Sequence, residues 1–150
     1  MPCAPVPSRP TSYAQAGKQA RHNLNYWLFG DYLGIGAGAH GKLTQPDGSI
    51  VRTRKTRMPA HYLDRSRMLL AESRKIPTEE LPFEFMMNAL RLGAGCPTAL
   101  FEQRTGVSLA TIAEKTALLQ RRGLLLPGND RLQATDVGLR YLNELLLAFV

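Results

Sequence analysis

Two cysteines in 150 residues, Cys3 and Cys96, rule out a disulfide framework and leave no closely spaced thiolates for a metal cluster. Long apolar runs are missing as well: nothing approaches the roughly eighteen residues of a membrane helix. No basic, apolar and small-residue signal opens the chain, so the expected setting is cytoplasmic, with reduced thiols. Catalytic signatures are also lacking. There are no paired carboxylates near a histidine, no GxSxG elbow and no GxxxxGK phosphate loop, and His22, His40 and His61 lie too far apart for an HExxH metal site. Cys96 stands before Pro97 at a loop start, where a small apolar residue is a better reading than a reactive thiol. The length suits one ordinary domain.

What is present is concentrated in HNLNYWLFGDYLGIGAGAHG, from His22 to Gly41. The stretch holds two histidines, four aromatic residues and five glycines. From Gly34 every second residue lacks a side chain, which predicts a buried strand with one bare face. Leu33, Ile35, Ala37 and Ala39 would then point into packing. The segment from Thr44 to Gly48 reads as a turn rather than a helix start, so the glycine spacing does not make a dinucleotide site. His22, Asn23, Tyr26 and Trp27 put an imidazole, an amide and two large rings within six residues. Imidazole can ligate haem iron while flat rings line the macrocycle. On residue types alone, a hydrogen-bonded loop histidine is the stronger reading.

HNLNYW, then GDYLGIGAGAHG, then EFMMNALRL at Glu84–Leu92 resemble the C-terminal part of the oxygen-independent coproporphyrinogen III oxidase (dehydrogenase)-like radical SAM family. The HNxxYW block is more similar to the haem-chaperone branch, HemW, than to the dehydrogenases. The resemblance runs from about Ser12 to the end and implies several things. His22, Asn23, Tyr26 and Trp27 become haem contacts, with His22 on the iron. Ala14 and Met87 correspond to positions on the S-adenosylmethionine side. Haem is the implied ligand, and haem-accepting proteins or a missing N-terminal barrel portion are the implied partners. Full-length members hold a [4Fe-4S] cluster and S-adenosylmethionine through CxxxCxxC. That motif is absent here, so neither is expected for this chain alone, nor is enzymatic activity. The opening MPCAPVPSRPT, with four prolines in ten residues, does not resemble the family's barrel interior and suggests a truncated member.

The net charge of +7 is uneven: +2 over residues 1–41, +6 over 42–75 and −1 over 76–150. Arg52, Arg54, Lys55 and Arg57 alternate with Val51, Thr53 and Thr56, as in a basic edge strand that discourages strand addition. The functional alternative is a patch that meets acidic groups such as haem propionates, phosphates or an acidic partner. From Pro59, the spacing of Tyr62, Ser66, Leu69 and Ser73 predicts a surface linker helix. A helix apolar on two sides follows, with Phe83, Met86, Met87 and Leu90 on one and Leu81, Phe85, Ala89 and Leu92 on the other. Shorter helices come next, around Thr98–Arg104 and Leu109–Arg122. A hairpin around Pro127–Asp130 and a final helix capped by Thr135, with Tyr141, Leu142, Leu145, Leu146 and Phe149 facing the core, complete the chain.

The expected architecture is α+β. Residues 1–11 form an irregular Pro-rich start, 12–57 the terminal strand region of a partial α/β barrel, 58–77 a linker helix, and 78–150 a winged-helix-like domain. A winged helix raises DNA binding or a protein-interaction module as a rival, with Lys115, Gln120, Arg121 and Arg122 on the candidate recognition helix. A domain of charge −1 is a poor match to phosphates, which makes nucleic acid an unfavoured partner. The leading reading is a fragment of a HemW-like haem chaperone, with a coproporphyrinogen III dehydrogenase fragment as the alternative within the family.

Overall fold

The computed structural model describes residues 20–150. Ala14, Cys3 and the Pro-rich start lie outside them. The chain divides into two units: one contains the residues up to Phe29 together with Glu79–Val150, and the other is Gly30–Thr78. The boundary falls between Phe29 and Gly30, inside the stretch that reads as one block in the sequence.

The second unit is a three-stranded antiparallel sheet, β1 (His40–Thr44), β2 (Ile50–Lys55) and β3 (Leu70–Lys75), in the order β1-β2-β3. The turn expected after Thr44 is present, with the Gln45 amide donating to the Ser49 carbonyl at 2.8 Å. β2 is the central strand, not the basic edge its alternation suggested. One of its charges is answered within the sheet: Arg54 reaches Glu72 on β3 at 3.0 Å.

Two further expectations fail in this unit. The linker helix shrinks to α2 (Pro59–Leu63), and residues 70–75 are strand β3. The cause of the break is local: one Asp64 carboxylate oxygen accepts from the Ser66 amide at 3.0 Å and its hydroxyl at 2.6 Å, giving the backbone an alternative to the next helical turn. Pairing of Arg74 with Arg52 and Ser73 with Thr53 then overrides helical spacing. The alternating glycines do not form a buried strand either. Residues 33–39 are loop and turn, with Leu33 72% and Ile35 85% exposed. Gly36 and Gly38 stand at φ +106° and +72°, where a pleated strand is impossible and glycine is preferred.

The other unit holds the main core. α1 (Arg21–Trp27) is followed, after the sheet unit, by a short 3₁₀ turn at Thr78–Glu80 and α3 (Leu81–Ala89). α3 carries Pro82 in its first turn, where a missing amide costs no helical bond. As expected of a central helix, Leu81, Phe85, Met86 and Ala89 are buried, each large side chain contributing about 1.5–3 kcal/mol. Then come β4 (Cys96–Pro97), α4 (Ala99–Thr105), α5 (Ala110–Arg121), β5 (Arg131–Leu132), α6 (Asp136–Arg140) and α7 (Leu142–Leu147). β4 pairs antiparallel with β5, and Leu125 bridges Ala134, closing the expected hairpin.

Thr135 caps α6 as its position predicts, accepting from the Gly138 amide at 2.9 Å and donating to the Gly123 carbonyl at 2.6 Å. The single final helix is broken at Tyr141, which is 56% exposed instead of facing the core. Leu145, Leu146 and Phe149 are buried as expected. The whole is an α+β arrangement, and no described helix is long and apolar enough to cross a membrane.

Candidate functional site

α1 presents the HNLNYW block as a two-turn helix. Residues four apart share a helical face, so His22 pairs with Tyr26 and Asn23 with Trp27. The His22 and Tyr26 rings meet edge-on, 6.3 Å between centroids and 89° between planes. Both are exposed, while Asn23 and Trp27 are half-buried. The helix has no side-chain N-cap at Ala20, so its position depends on tertiary contacts. Phe29 supplies one: it is buried and lies 5.6 Å from Phe85, which in turn lies 5.3 Å from Phe101.

Met87, on α3, is half-buried beside the fully buried Met86. Of the residues expected on the S-adenosylmethionine side, it alone is described. Cys96 is buried, and loss of hydration pushes its thiol up to about 11, against a smaller opposing pull from Arg131. It therefore behaves as the small apolar residue expected. One buried thiol at β4 does not fit a [4Fe-4S] cluster, and no group of three metal-capable side chains occurs among the described residues. A single exposed imidazole flanked by an aromatic ring does fit axial haem ligation, which needs only one protein donor.

The Gly-rich loop belongs to the sheet unit and is pinned by three hydrogen bonds. The Gly36 amide donates to the Tyr62 hydroxyl at 3.0 Å, Gly38 to the Thr56 carbonyl at 2.7 Å, and Lys55 to the Ala39 carbonyl at 2.8 Å. Gly34 leaves room for the His40 carbonyl, which a Cβ would strike. Behind the loop, Lys42 is buried and reaches the Asp31 carboxylate at 3.0 Å. The same carboxylate accepts from the Thr44 amide and hydroxyl, both at 3.0 Å. Burial, the largest influence, raises the Asp31 pKa. The Thr44 amide, Lys42 and the Thr44 hydroxyl outweigh it and hold the group below 3.8. No sequence signal pairs Asp31 with Lys42, because their meeting depends on the bridge between Tyr32 and Lys42.

Comparison with known proteins now has a geometry to act on. Residues 76–141 match the family model described as the HemN C-terminal domain. The chain is 44% identical over 140 residues to the heme chaperone HemW of Haemophilus influenzae and 42% identical to that of Escherichia coli, covering 93% of this chain and 36% of each relative. It is 31% identical to the bovine mitochondrial radical S-adenosyl methionine domain-containing protein 1, covering 93% of this chain and 34% of that protein. Among solved structures, coproporphyrinogen III oxidase (HemN) from Escherichia coli, a radical SAM enzyme, superposes with a TM-score of 0.54 at 16% identity, over 80% of this chain and 28% of that one. That likeness concerns the fold.

Residues 76–141 thus carry the likeness to the HemN C-terminal domain. Over the stretch it shares with them, the chain is similar to the heme chaperones HemW. It spans about a third of the length of the relatives it matches.

Proposed function

We propose that this chain is a C-terminal segment of a HemW-like haem chaperone that contributes haem contacts through α1, in a cytoplasmic setting. The observation that carries the reading is the exposed His22–Tyr26 pair, held edge-on on one helical face, in a chain 44% identical to a heme chaperone. His22 would ligate the iron of the bound haem, with Tyr26 and Trp27 as flat contacts and Asn23 as a polar neighbour. The segment acts by holding its cargo; the thiolates for cluster chemistry are not among its residues. In a full-length protein, which would also hold a [4Fe-4S] cluster, Ala14 and Met87 would stand on the S-adenosylmethionine side.

The order of elements α3, β4, α4, α5, hairpin, β5 supports a winged-helix-like reading of the C-terminal domain. The sheet unit is then the remnant of a partial barrel. Haem-accepting proteins and the remaining barrel portion are the partners this assignment calls for. Titration of the chain with haem, followed at the Soret band, tests the reading. A saturable shift that His22→Ala abolishes supports it, and an unchanged free-haem spectrum rejects it.

A further inference from the structure

Near the end of the C-terminal domain two short helices meet at a break. α6 ends at Arg140 and α7 begins at Leu142, while Tyr141 between them stands at φ −108° and ψ 36°, neither helical nor extended. The break and Arg91, just past the end of α3, border a cavity of about 430 Å³. Small-ligand sites occupy about 300–1,000 Å³, so the size is sufficient for one. Leu139 and Leu142 are half-buried and give the cavity apolar walls, with the exposed Tyr141 ring between them.

The charges at this cavity are not consumed by the fold. Arg131, elsewhere in the domain, spends its guanidinium on the Ala94 and Gly95 carbonyls at 3.0 and 2.7 Å. Arg91 spends only its Nε, on the Met87 carbonyl at 3.1 Å, which anchors the side chain and leaves its two terminal nitrogens to the cavity. Arg140 makes no hydrogen bond or ion pair with any described residue. Glu144, in the first turn of α7, lines the same cavity and bridges to neither arginine. Residues 76–150 carry a net −1, so two guanidinium groups at one concavity run against the balance of the domain.

We infer that Arg91 and Arg140 bind the carboxylate of a small amphipathic acid, whose apolar body lies against Leu139, Tyr141 and Leu142. This site goes beyond the haem reading and does not rest on it. Guanidinium groups take carboxylates through paired, parallel hydrogen bonds. The local charge, two cations against one carboxylate, is balanced by a single negative charge. A second one, as on phosphate, would meet Glu144. Apolar contact supplies the rest of the affinity, because an exposed ion pair alone contributes only about 0–1 kcal/mol.

The test is an amide-resolved NMR titration of the full chain with 4-methylpentanoate, its uncharged amide and inorganic phosphate. Circular dichroism checks that each variant is folded. The acid should shift the amides of residues 139–144 saturably, and the uncharged amide and phosphate should bind at least about tenfold more weakly. Arg91→Gln and Arg140→Gln should each weaken the acid about tenfold, the scale of one lost charged hydrogen bond. Arg104→Gln, on α4, should leave it unchanged. Glu144→Gln should tighten the acid by about threefold through lost repulsion, a gain that a merely structural role for Glu144 would not give. No saturable shift with the acid, equal binding of the acid and its amide, phosphate as tight as the acid, or unchanged affinity in both arginine variants overturns the site.

Discussion

Phe29 meets Phe85 edge to face at 5.6 Å although its own backbone stands at φ +56°, a conformation bulky residues rarely adopt. Such strain costs about 1–3 kcal/mol and persists where the surroundings fix it. Here the buried ring fixes it. The contact carries the end of α1 onto the core of the C-terminal domain, while Gly30 opens the sheet unit.

Phe29→Ala should therefore destabilise this unit by about 3–5 kcal/mol in urea unfolding, as expected for emptying a buried aromatic site. It should also speed amide exchange across Arg21–Trp27. Full protection of α1 in that variant would show that Phe29 does not hold the helix.

A close approach in the C-terminal unit gives a second expectation. A Cβ on Gly138 would strike the Leu124 carbonyl, whereas Gly48 meets nothing within 4 Å. Gly138→Ala should cost about 1–3 kcal/mol or more through overpacking. Gly48→Ala, at φ +82°, should cost only its backbone strain, about 1 kcal/mol. Thermal unfolding of the two variants checks the order, and equal losses would contradict it.

Asp31 sets a pH dependence. Its folded pKa lies below 3.8, so its contribution to stability is fully present above the unfolded value and is lost as pH falls through the folded one. Parent and Asp31→Asn should differ in urea midpoint at neutral pH, with the difference shrinking below pH 3.8. A gap that widens on acidification would mean the sign is wrong.

Cys96 supplies a probe of the core. With its thiol pushed up to about 11 by burial, it should resist a thiol reagent at pH 8 in a Cys3→Ser background and react only as urea unfolds the chain. Rapid native labelling would contradict the packing around β4.

Much of the C-terminal domain was legible in the sequence because its signals are local. Pro82, the two apolar sides of α3, Thr135 as a cap and the Pro127–Asp130 turn all act within a few residues. The sheet unit was not, because its signals conflict. Tyr62, Ser66, Leu69 and Ser73 keep helical spacing, but Asp64 stops the helix and long-range pairing with β2 makes residues 70–75 a strand. The run Leu33–Ala39 has strand-like alternation, yet its glycines serve a looped backbone. For the site, the residue types of HNLNYW indicated a chemistry. That His22 and Tyr26 share an exposed face follows from their spacing once α1 is known to be helical. That Arg91 and Arg140 line one cavity follows from tertiary packing, which residues so far apart in sequence do not reveal.

The most direct measurement of the central claim is the electronic and electron-spin-resonance spectrum of the chain with one equivalent of ferric haem, beside that of His22→Ala. A histidine-ligated haem in the parent, lost in the variant while Phe29 and Phe85 keep the unit folded, is the predicted result. Identical spectra from the two proteins would contradict it.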